Sequence, residues 1–225
     1  MTSTEEKIRF LAGTALMKGA SPDLLQEISC YVFEKTLIRS EVILTEGGEA
    51  DAMYFVVEGV LKLYKTSTEG KEQIVSLMRP GDFFNEVPLL DGGAAPANVE
   101  ALSGALLYGI QKTNLGIIIR RYPVITVNLL TMLAKRIRYL ISLVEDLSFR
   151  SVSSRVAKIL LENAPGAAAG ARLTQRDMAA MAGTAREVVS RSLKYLEELG
   201  LIEMRHHQIV IRNSQGLKRL VEPDI

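Results

Sequence analysis

Between Tyr31 and Gly109, short runs of β-forming residues alternate with glycine-containing turns, and this pattern restricts the fold more than any other feature. The runs lie at residues 42–44, 53–57, 60–64, 73–78 and 105–108, and the turns between them include Gly47-Gly48, Glu58-Gly59, Glu69-Gly70 and Pro80-Gly81-Asp82. Strands this short, separated by turns at regular spacing, are typical of an all-β sandwich or barrel. No helical pattern intervenes between the runs, so a parallel doubly wound sheet is excluded.

A single long helical stretch, from about Val124 to Ser148, follows the strand-rich region. Its large apolar residues step by 3, 4, 3, 4 and 3 positions, as in the a/d seam of a coiled coil: Leu130, Leu133, Ile137, Leu140, Val144 and Leu147. A helix that packs only on its own domain usually has a broader apolar face. We therefore expect this seam to join two copies of the chain in a parallel dimer.

The composition excludes several classes of protein. No stretch reaches the roughly 18 apolar residues that a membrane span needs, and the N-terminus lacks the basic start and apolar core of a signal peptide, so we expect a cytoplasmic protein that does not enter membranes. The single cysteine, Cys30, excludes an intramolecular disulfide and a four-thiolate metal site. The only histidines, His206 and His207, are neighbours and no Gly-rich phosphate loop is present, so neither an enzyme nor a metal site is expected.

The distribution of charge distinguishes the two ends of the chain. Residues 1–149 carry 15 Lys or Arg against 18 Asp or Glu, a net charge of −3, whereas residues 150–225 carry 12 against 8, a net charge of +4. A basic C-terminal part indicates contact with a polyanion, although an asymmetry of this size also arises from ordinary surface chemistry.

The C-terminal part has the order helix, helix, tight turn, helix and β-wing. Its predicted elements are helices over 152–163, 174–182 and 184–199 and β-runs over 201–204 and 208–212. Gly183 lies between the second and third helices, and glycine can adopt the left-handed conformation that a sharp turn needs. Thr184 is predicted to cap the third helix, with Glu187 completing a capping box.

The third predicted helix carries polar and basic residues on one side of its N-terminal half: Arg186, Glu187, Ser190, Arg191 and Lys194. The apolar residues expected to pack inward are Val188, Val189, Leu193, Leu196 and Leu199. The major groove of DNA accepts such a helix, where Arg can bond guanine bidentately and Glu can accept from cytosine. A helix with merely solvated arginines is the plainer alternative, but the complete helix–turn–helix–wing order favours a recognition helix.

Three stretches, in this order along the chain, resemble the Crp/Fnr family of bacterial transcription regulators: residues 44–62, residues 81–86 (Gly-Asp-Phe-Phe-Asn-Glu) and residues 184–191 (Thr-Ala-Arg-Glu-Val-Val-Ser-Arg). The resemblance extends from Tyr31 to Asn213. It implies an α+β fold with an antiparallel, jelly-roll-like β-roll of the cyclic-nucleotide-binding type, a long dimerisation helix and a C-terminal winged helix-turn-helix. The expected boundaries are 1–119 for the N-terminal helices and β-roll sensor domain, 120–149 for the long helix and 150–225 for the DNA-binding domain.

The resemblance further implies a homodimeric, sequence-specific regulator that binds double-stranded DNA at an inverted repeat with a TGA-type core and works with RNA polymerase. The residues that match base-reading positions of the family are Arg186, Glu187, Ser190 and Arg191. The residues placed for phosphate contacts, which position a protein without reading sequence, are Thr174, Gln175, Arg176, Thr184, Lys194, Arg205, His206 and His207.

By the same resemblance, the β-roll holds an effector pocket formed by Phe84, Asn85, Glu86, Val87, Ala95, Pro96, Ala97, Leu140 and Ile141. Family members that bind a cyclic nucleotide open this stretch with a Gly-Glu pair and close it with an Arg-Ser pair that binds the phosphate. Here Asn85 precedes Glu86 and the closing pair is Ala-Pro, so no cation remains there and Pro96 has no N–H to donate. An effector other than cyclic AMP, or none, is expected, unless Arg120 or Arg121 supplies the missing charge.

Two alternatives remain open at this point. A cyclic-nucleotide-binding regulatory module could act on a protein partner, but such a module would not need the residues of a recognition helix. A haem-based gas sensor is the other alternative, since some members of the family bind haem. Residues 1–205 contain no histidine, and Cys30 or a methionine would have to bind the iron, so haem is not expected.

Overall fold

The structure, a computed structural model, describes residues 2–163, 173–205 and 208–221. The chain divides into two compact units, Met1–Lys65 with Ser76–Tyr139 and Thr66–Val75 with Leu140–Ile225. A long helix begins in the first unit and ends in the second, so the functional boundaries at residues 119 and 149 stay a prediction.

The chain from the N-terminus to the end of the long helix contains eight strands among five helices in the described residues. The elements are α1 (Thr4–Ala12), α2 (Pro22–Ser29), β1 (Val32–Leu37), β2 (Val42–Leu44), β3 (Ala52–Glu58), β4 (Leu61–Thr66), β5 (Glu72–Met78), β6 (Phe83–Phe84), α3 (Val87–Asp91), β7 (Asn98–Ala101), β8 (Ala105–Gln111), α4 (Lys112–Arg121) and α5 (Pro123–Phe149). Local chemistry explains the start of α2: Ser21 accepts a hydrogen bond from the N–H of Leu24 at 3.3 Å, and Pro22 stands in the first turn, where its missing N–H costs nothing.

The strands form two four-stranded antiparallel sheets, with the orders β1-β8-β3-β6 and β2-β7-β4-β5. In the first sheet, β3 pairs with β8 so that Met53 lies opposite Ile110 and Phe55 opposite Tyr108. The predicted antiparallel β-roll is confirmed, as is the long helix that follows it.

The two faces of the first sheet belong to two different hydrophobic cores, because successive side chains of a strand point to opposite faces. Tyr54 of β3 lies in the core between the two sheets, together with Leu37, Leu44, Ala52, Val56, Leu61, Met78, Phe84, Val99, Ala101, Ala105 and Leu107. Met53 and Phe55 lie in the core formed with the helices, where the ring of Phe10 meets that of Phe55 edge to face at 6.4 Å. Strand β3 is therefore buried on both faces.

The long helix α5 packs one face against the helical core and leaves another face exposed. Leu129 is buried in that core, and Leu133 packs partly against it. Five of its exposed apolar residues are 59–64% exposed and follow one another by 3, 7, 4 and 3 positions, so they share one side of the helix: Val127, Leu130, Ile137, Ile141 and Val144. These five residues form an exposed apolar stripe along α5.

Two residues of the predicted seam lie off this stripe, and their role in a dimer stays a prediction. Leu133 packs on its own domain, and Leu147 is only partly exposed, with its Cδ2 atom 2.8 Å from where a Cβ of Gly183 would lie. Leu130, Ile137 and Val144 do lie on the stripe, and Leu140 borders it at 40% exposure. The heptad spacing alone does not distinguish two neighbouring faces of one helix, because each face repeats with the same period.

The second unit contains α6 (Val152–Glu162), α7 (Gln175–Ala182), α8 (Arg186–Glu198), β9 (Ile202–Arg205), β10 (Gln208–Ile211) and α9 (Ser214–Val221). The antiparallel pair β9–β10 is the predicted wing, and α9, which the sequence pattern did not predict, packs against α6. The core contains Val189, Leu193 and Leu196 from α8, but Leu199 is 48% exposed because α8 ends one residue before it. The predicted inward position of Leu199 is therefore wrong.

Within the described ranges, no single helix has the length and apolar content to cross a membrane. Helices α4 and α5, which meet at a bend of 109°, satisfy that criterion only as a pair, by length and composition.

Candidate nucleic-acid interface and effector cavity

The N-terminal half of α8 presents its polar residues to solvent. All five side chains expected on this side are exposed: Arg186, Glu187, Ser190, Arg191 and Lys194. The opposite side holds the helix in place, since Val189 and Leu193 are fully buried. The amphipathic division of α8 thus has the orientation that a recognition helix requires.

The turn before α8 depends on a glycine. Gly183 has φ +64° and ψ +37°, the left-handed conformation, and its N–H donates to the carbonyl of Ala179. A Cβ at this position would lie 2.8 Å from Leu147 and 3.0 Å from the Oε1 atom of Gln73. The prediction that glycine makes the sharp turn between α7 and α8 is confirmed.

The predicted cap of α8 is wrong by one residue. The N–H of Thr184 bonds to the carbonyl of Ala179 within the turn, so α8 starts only at Arg186 and Ala185 takes the N-cap position without a side-chain bond. Glu187 then stands at the second helical position and cannot form the capping box with Thr184. The first N–H groups of α8 have no side-chain acceptor at the N-cap.

Two arginines on α8 lack a partner in the described part of the chain, whereas Lys194, Arg176 and Arg205 each have one. Among the residues that the structure describes, no ion pair or hydrogen bond engages the guanidinium of Arg186 or of Arg191. Lys194, in contrast, lies 3.8 Å from Glu198 one turn along the helix, and both side chains are exposed.

The residues predicted to contact phosphate lie on three elements of the second unit. Thr174 is the N-cap of α7, where its hydroxyl accepts from the N–H of Asp177 in a capping box, and Gln175 starts that helix half-buried. Arg176 is exposed and lies 3.6 Å from the carboxylate of Glu72. Arg205 is on the wing, and His206 and His207 lie outside the described residues.

The wing cations share one carboxylate. Glu203 accepts hydrogen bonds from Arg205 and from Arg212, and these bonds lower the pKa of its carboxyl. The same interaction raises the pKa of Arg205. Arg205 is therefore held by the wing itself, unlike the free arginines of α8.

An arginine that sequence reasoning missed ties the end of α5 to the turn. The Nε atom of Arg155 on α6 donates to the carbonyl of Ala182 at 2.8 Å, and its Nη1 atom donates to the carbonyl of Arg150 at 2.7 Å. The buried Asp146 beside it pairs with Arg150 at 2.6 Å and with Lys158. These bonds satisfy terminal carbonyls of α5 and α7 that would otherwise lack donors.

The first unit contains a small cavity of about 40 Å³ beside β6 and α3. It is lined by Leu44, Leu63, Asn85, Glu86, Val87, Pro88, Pro96, Ala97, Val99 and Arg136. Five of the nine residues predicted for the effector pocket are thus brought together: Asn85, Glu86, Val87, Pro96 and Ala97. Residues that open the predicted effector stretch, Asn85 and Glu86, and residues that close it, Pro96 and Ala97, thus line one cavity.

Four predicted pocket residues do not line the cavity. Phe84 lies fully buried in the core between the sheets. Ala95 is also buried, and its backbone hydrogen-bonds to the backbone of Gly47 and of Gly48. Leu140 and Ile141 belong to the second unit and are exposed. Their role in the pocket stays a prediction.

The cation of the cavity is Arg136, on α5, which the sequence analysis did not include. Its Nη1 atom donates to Glu86, and its Nη2 atom donates to the carbonyl of Phe83 at 3.0 Å. The helical phase contained the signal, because Arg136 follows the partly buried Leu133 by three residues and so shares its face. The proposed substitutes lie elsewhere: neither Arg120 nor Arg121 lines the cavity, and Arg121 pairs with Glu27 at 2.9 Å.

Comparison with known proteins matches both units. Residues 34–122 match the model of the cyclic nucleotide-binding domain, and residues 154–220 match the Crp-like helix-turn-helix domain. The chain is 29% identical over 211 residues to the cyclic AMP receptor protein of Thermus thermophilus, covering 93% of this chain and 98% of that protein. It is 27% identical over 217 residues to a CRP-like cAMP-activated global transcriptional regulator of Mycobacterium tuberculosis, covering 93% and 97%.

A solved structure agrees with the sequence comparisons. FixK2 from Bradyrhizobium japonicum is similar with a TM-score of 0.75 and 26% identity, over 86% of this chain and 99% of FixK2.

Proposed function

The chain belongs to the Crp/Fnr family of transcription regulators, and we propose that it is a homodimer that binds an inverted-repeat DNA operator under the control of an effector other than cyclic AMP. The observation that supports this function best is the exposed face of α8 with two unpaired arginines. Contact with RNA polymerase at the promoter is part of the proposal.

The proposed DNA contacts divide into two kinds. Arg186, Glu187, Ser190 and Arg191 read base edges in the major groove, where Arg pairs with guanine and Glu accepts from cytosine, at a TGA-type half-site. The open N–H groups at the start of α8 suit a phosphate oxygen, because this end of the helix carries partial positive charge. Arg176, Lys194 and Arg205 fix the position of the protein through phosphates without reading sequence.

The proposed dimer contact is the apolar stripe of α5. In a monomer, five large apolar side chains remain about three-fifths exposed to water. Burying them against a second copy would gain hydrophobic free energy that a monomer does not obtain. Pairing the stripe with that of a second copy buries it and gives the DNA-binding units two-fold symmetry. Two recognition helices about 34–36 Å apart then fit successive major grooves, which is why the operator is an inverted repeat.

Control by an effector other than cyclic AMP is supported by the charge of the cavity. Among the described residues that line it, Arg136 is the one cation, and Glu86 already neutralises it. A cyclic phosphate would therefore enter without an unpaired cation and would lie near a carboxylate, which disfavours binding of an anion.

The test is DNA binding measured by fluorescence anisotropy with an inverted repeat of TGA-type half-sites and a scrambled duplex. We expect Arg191→Ala to weaken binding to the repeat by about 1–3 kcal/mol and to relax discrimination at one base pair. Arg176→Ala should weaken both duplexes alike and flatten the salt dependence. Lys218→Ala, an exposed cation on α9, is the control. Equal losses on both duplexes from Arg191→Ala and Arg176→Ala would contradict the assigned roles.

A further inference from the structure

The cavity of the first unit contains two hydrogen-bond acceptors without donors. The Oδ1 atom of Asn85 and the Oε2 atom of Glu86 are buried and have no hydrogen-bond partner among the described residues. Both side chains are more than nine-tenths buried, and both residues line the cavity. Buried polar atoms in folded proteins are nearly always paired, so two adjacent unpaired oxygens require an explanation.

The orientation of both groups is set by their other bonds. The Nδ2 atom of Asn85 donates to the carbonyl of Ala52 at 2.7 Å, so its oxygen is the atom left over. Asn85 also has φ +69°, a conformation that few residues other than glycine adopt. Glu86 uses Oε1 to bind Arg136, which leaves Oε2. Neither oxygen can be satisfied by a simple rotation without breaking an existing bond.

The cations near the cavity are all engaged. Arg136 binds Glu86 and the carbonyl of Phe83. At the closing end, Lys65 donates to the carbonyl of Pro96 at 3.1 Å and pairs with Glu46. Among the described residues around the cavity, each cation is thus balanced by a carboxylate. The groups left without a partner are the two acceptor oxygens.

The remaining lining is apolar. It consists of Leu44, Leu63, Val87, Pro88, Pro96, Ala97 and Val99. A ligand that matches such a site has an apolar body and a small number of directed polar groups. Here those polar groups must be donors, because the unpaired protein atoms are acceptors.

We infer that the cavity takes a small uncharged molecule whose apolar body carries hydroxyl or amino donors for Glu86 and Asn85. The inference rests on the proposed function only for the effect of such a molecule on DNA binding. Anionic phosphate groups are disfavoured because their oxygens are acceptors and would face the two unpaired acceptor oxygens.

Three probes with the same six-membered carbon ring test this chemistry on the full chain with labelled methyl groups. They are trans-1,2-cyclohexanediol, which has two hydroxyl donors, cyclohexanone, which has only a carbonyl acceptor, and cyclohexyl phosphate, which has an anionic phosphate group. We expect the diol to shift the methyl resonances of Leu44, Leu63 and Val99 with a dissociation constant on the order of 1 mM, as for other ligands this small. Cyclohexanone should bind at least about tenfold more weakly, and the phosphate ester more weakly still.

Two variants assign the binding to the two oxygens. Asn85→Gly removes one acceptor while permitting the positive φ, and we expect about fivefold weaker diol binding. Glu86→Gln removes the charged acceptor, and about tenfold weaker binding is expected. Glu58→Gln, an exposed carboxylate at the end of β3, is the matched control. If Glu86→Gln does not fold, Asn85→Gly alone decides.

Two results would overturn the inference: no diol-dependent shift at these methyl groups, or tighter binding of cyclohexyl phosphate than of the diol. Neither result would affect operator binding, which is measured separately on the same sample. Loss of operator binding with intact diol binding would instead refute the DNA-binding proposal.

Discussion

The effector cavity of the first unit and the exposed face of α8 in the second unit both contain arginine, yet they leave opposite groups unpaired. In the cavity, Arg136 is bound to Glu86, and the atoms without partners are acceptor oxygens. On α8, Arg186 and Arg191 have no partner in the described part of the chain, and the free atoms are donors. The unpaired atoms, rather than the residue types, indicate what each region can bind.

The difference in burial makes the two regions unequal in free energy. Glu86 is 1% exposed, so its charge interacts with Arg136 at low dielectric and is costly to leave alone. Lys194 and Glu198 are 78% and 64% exposed, and such a pair contributes little. Stability should therefore depend on the cavity pair, and DNA affinity on the exposed cations.

Of the variants considered, Arg136→Ala is expected to have the largest effect, a loss of stability in the first unit. Glu86 would remain buried without its cation, and we expect the free energy of unfolding to fall by about 3–5 kcal/mol. Arg138→Ala, an exposed arginine on the same helix, should change it by less than about 0.5 kcal/mol. Urea unfolding followed by circular dichroism measures both. Similar values for the two variants would show that the Arg136–Glu86 pair contributes no more to stability than an exposed arginine does.

Two faces of α5 provide the next largest contrast. Ile137→Asp would place a carboxylate in the proposed dimer contact, and we expect the dissociation constant of the dimer to rise by at least about 100-fold. Leu133→Ala should instead lower the free energy of unfolding by about 1–2 kcal/mol with an unchanged dimer constant, because Leu133 packs on its own core. Sedimentation velocity distinguishes the two. A dimer unaffected by Ile137→Asp would place the contact on a different surface.

A smaller effect is expected where a cation of the second unit already has a partner. Glu72 lies 3.6 Å from Arg176 and competes with DNA phosphates for it. Glu72→Gln should strengthen DNA binding by about 0.2–1 kcal/mol, the range of exposed ion pairs. The gain should vanish in the Arg176→Ala background, which anisotropy titrations of the double-mutant cycle would show. A gain that persists in that background would mean that Glu72 acts by repelling the DNA phosphates and not through Arg176.

The smallest effect concerns the pH dependence of the wing. Because Arg205 and Arg212 lower the pKa of Glu203, their contribution is present at neutral pH and is lost only as the pH falls through this lowered pKa. We expect the carboxyl ¹³C resonance of Glu203 to titrate below the usual range for glutamate. In Arg205→Ala the midpoint should rise. An unchanged midpoint would show that the wing arginine is free, like those of α8.

Local sequence signals predicted the parts of the site that depend on neighbouring residues. Gly183 indicated the turn, and the 3.6-residue pattern indicated which side of α8 is buried. Thr184 was misplaced as a cap, because the bond of its N–H to Ala179 competes with capping. A one-residue error of this kind is expected where two local arrangements use the same donor.

The residues alone were enough to predict the antiparallel strands, the helix–turn–helix order and the polar face of α8, because these follow from spacing and backbone preference over a few residues. Contacts between distant parts of the chain were needed to show that Arg136 meets Glu86, which is 50 positions away, and that Leu133 faces its own core while Ile137 faces solvent. Periodicity gives the repeat of a helix face but not the direction in which it points. That direction depends on packing against strands and helices far away in the chain, and so does the partner of a buried charge.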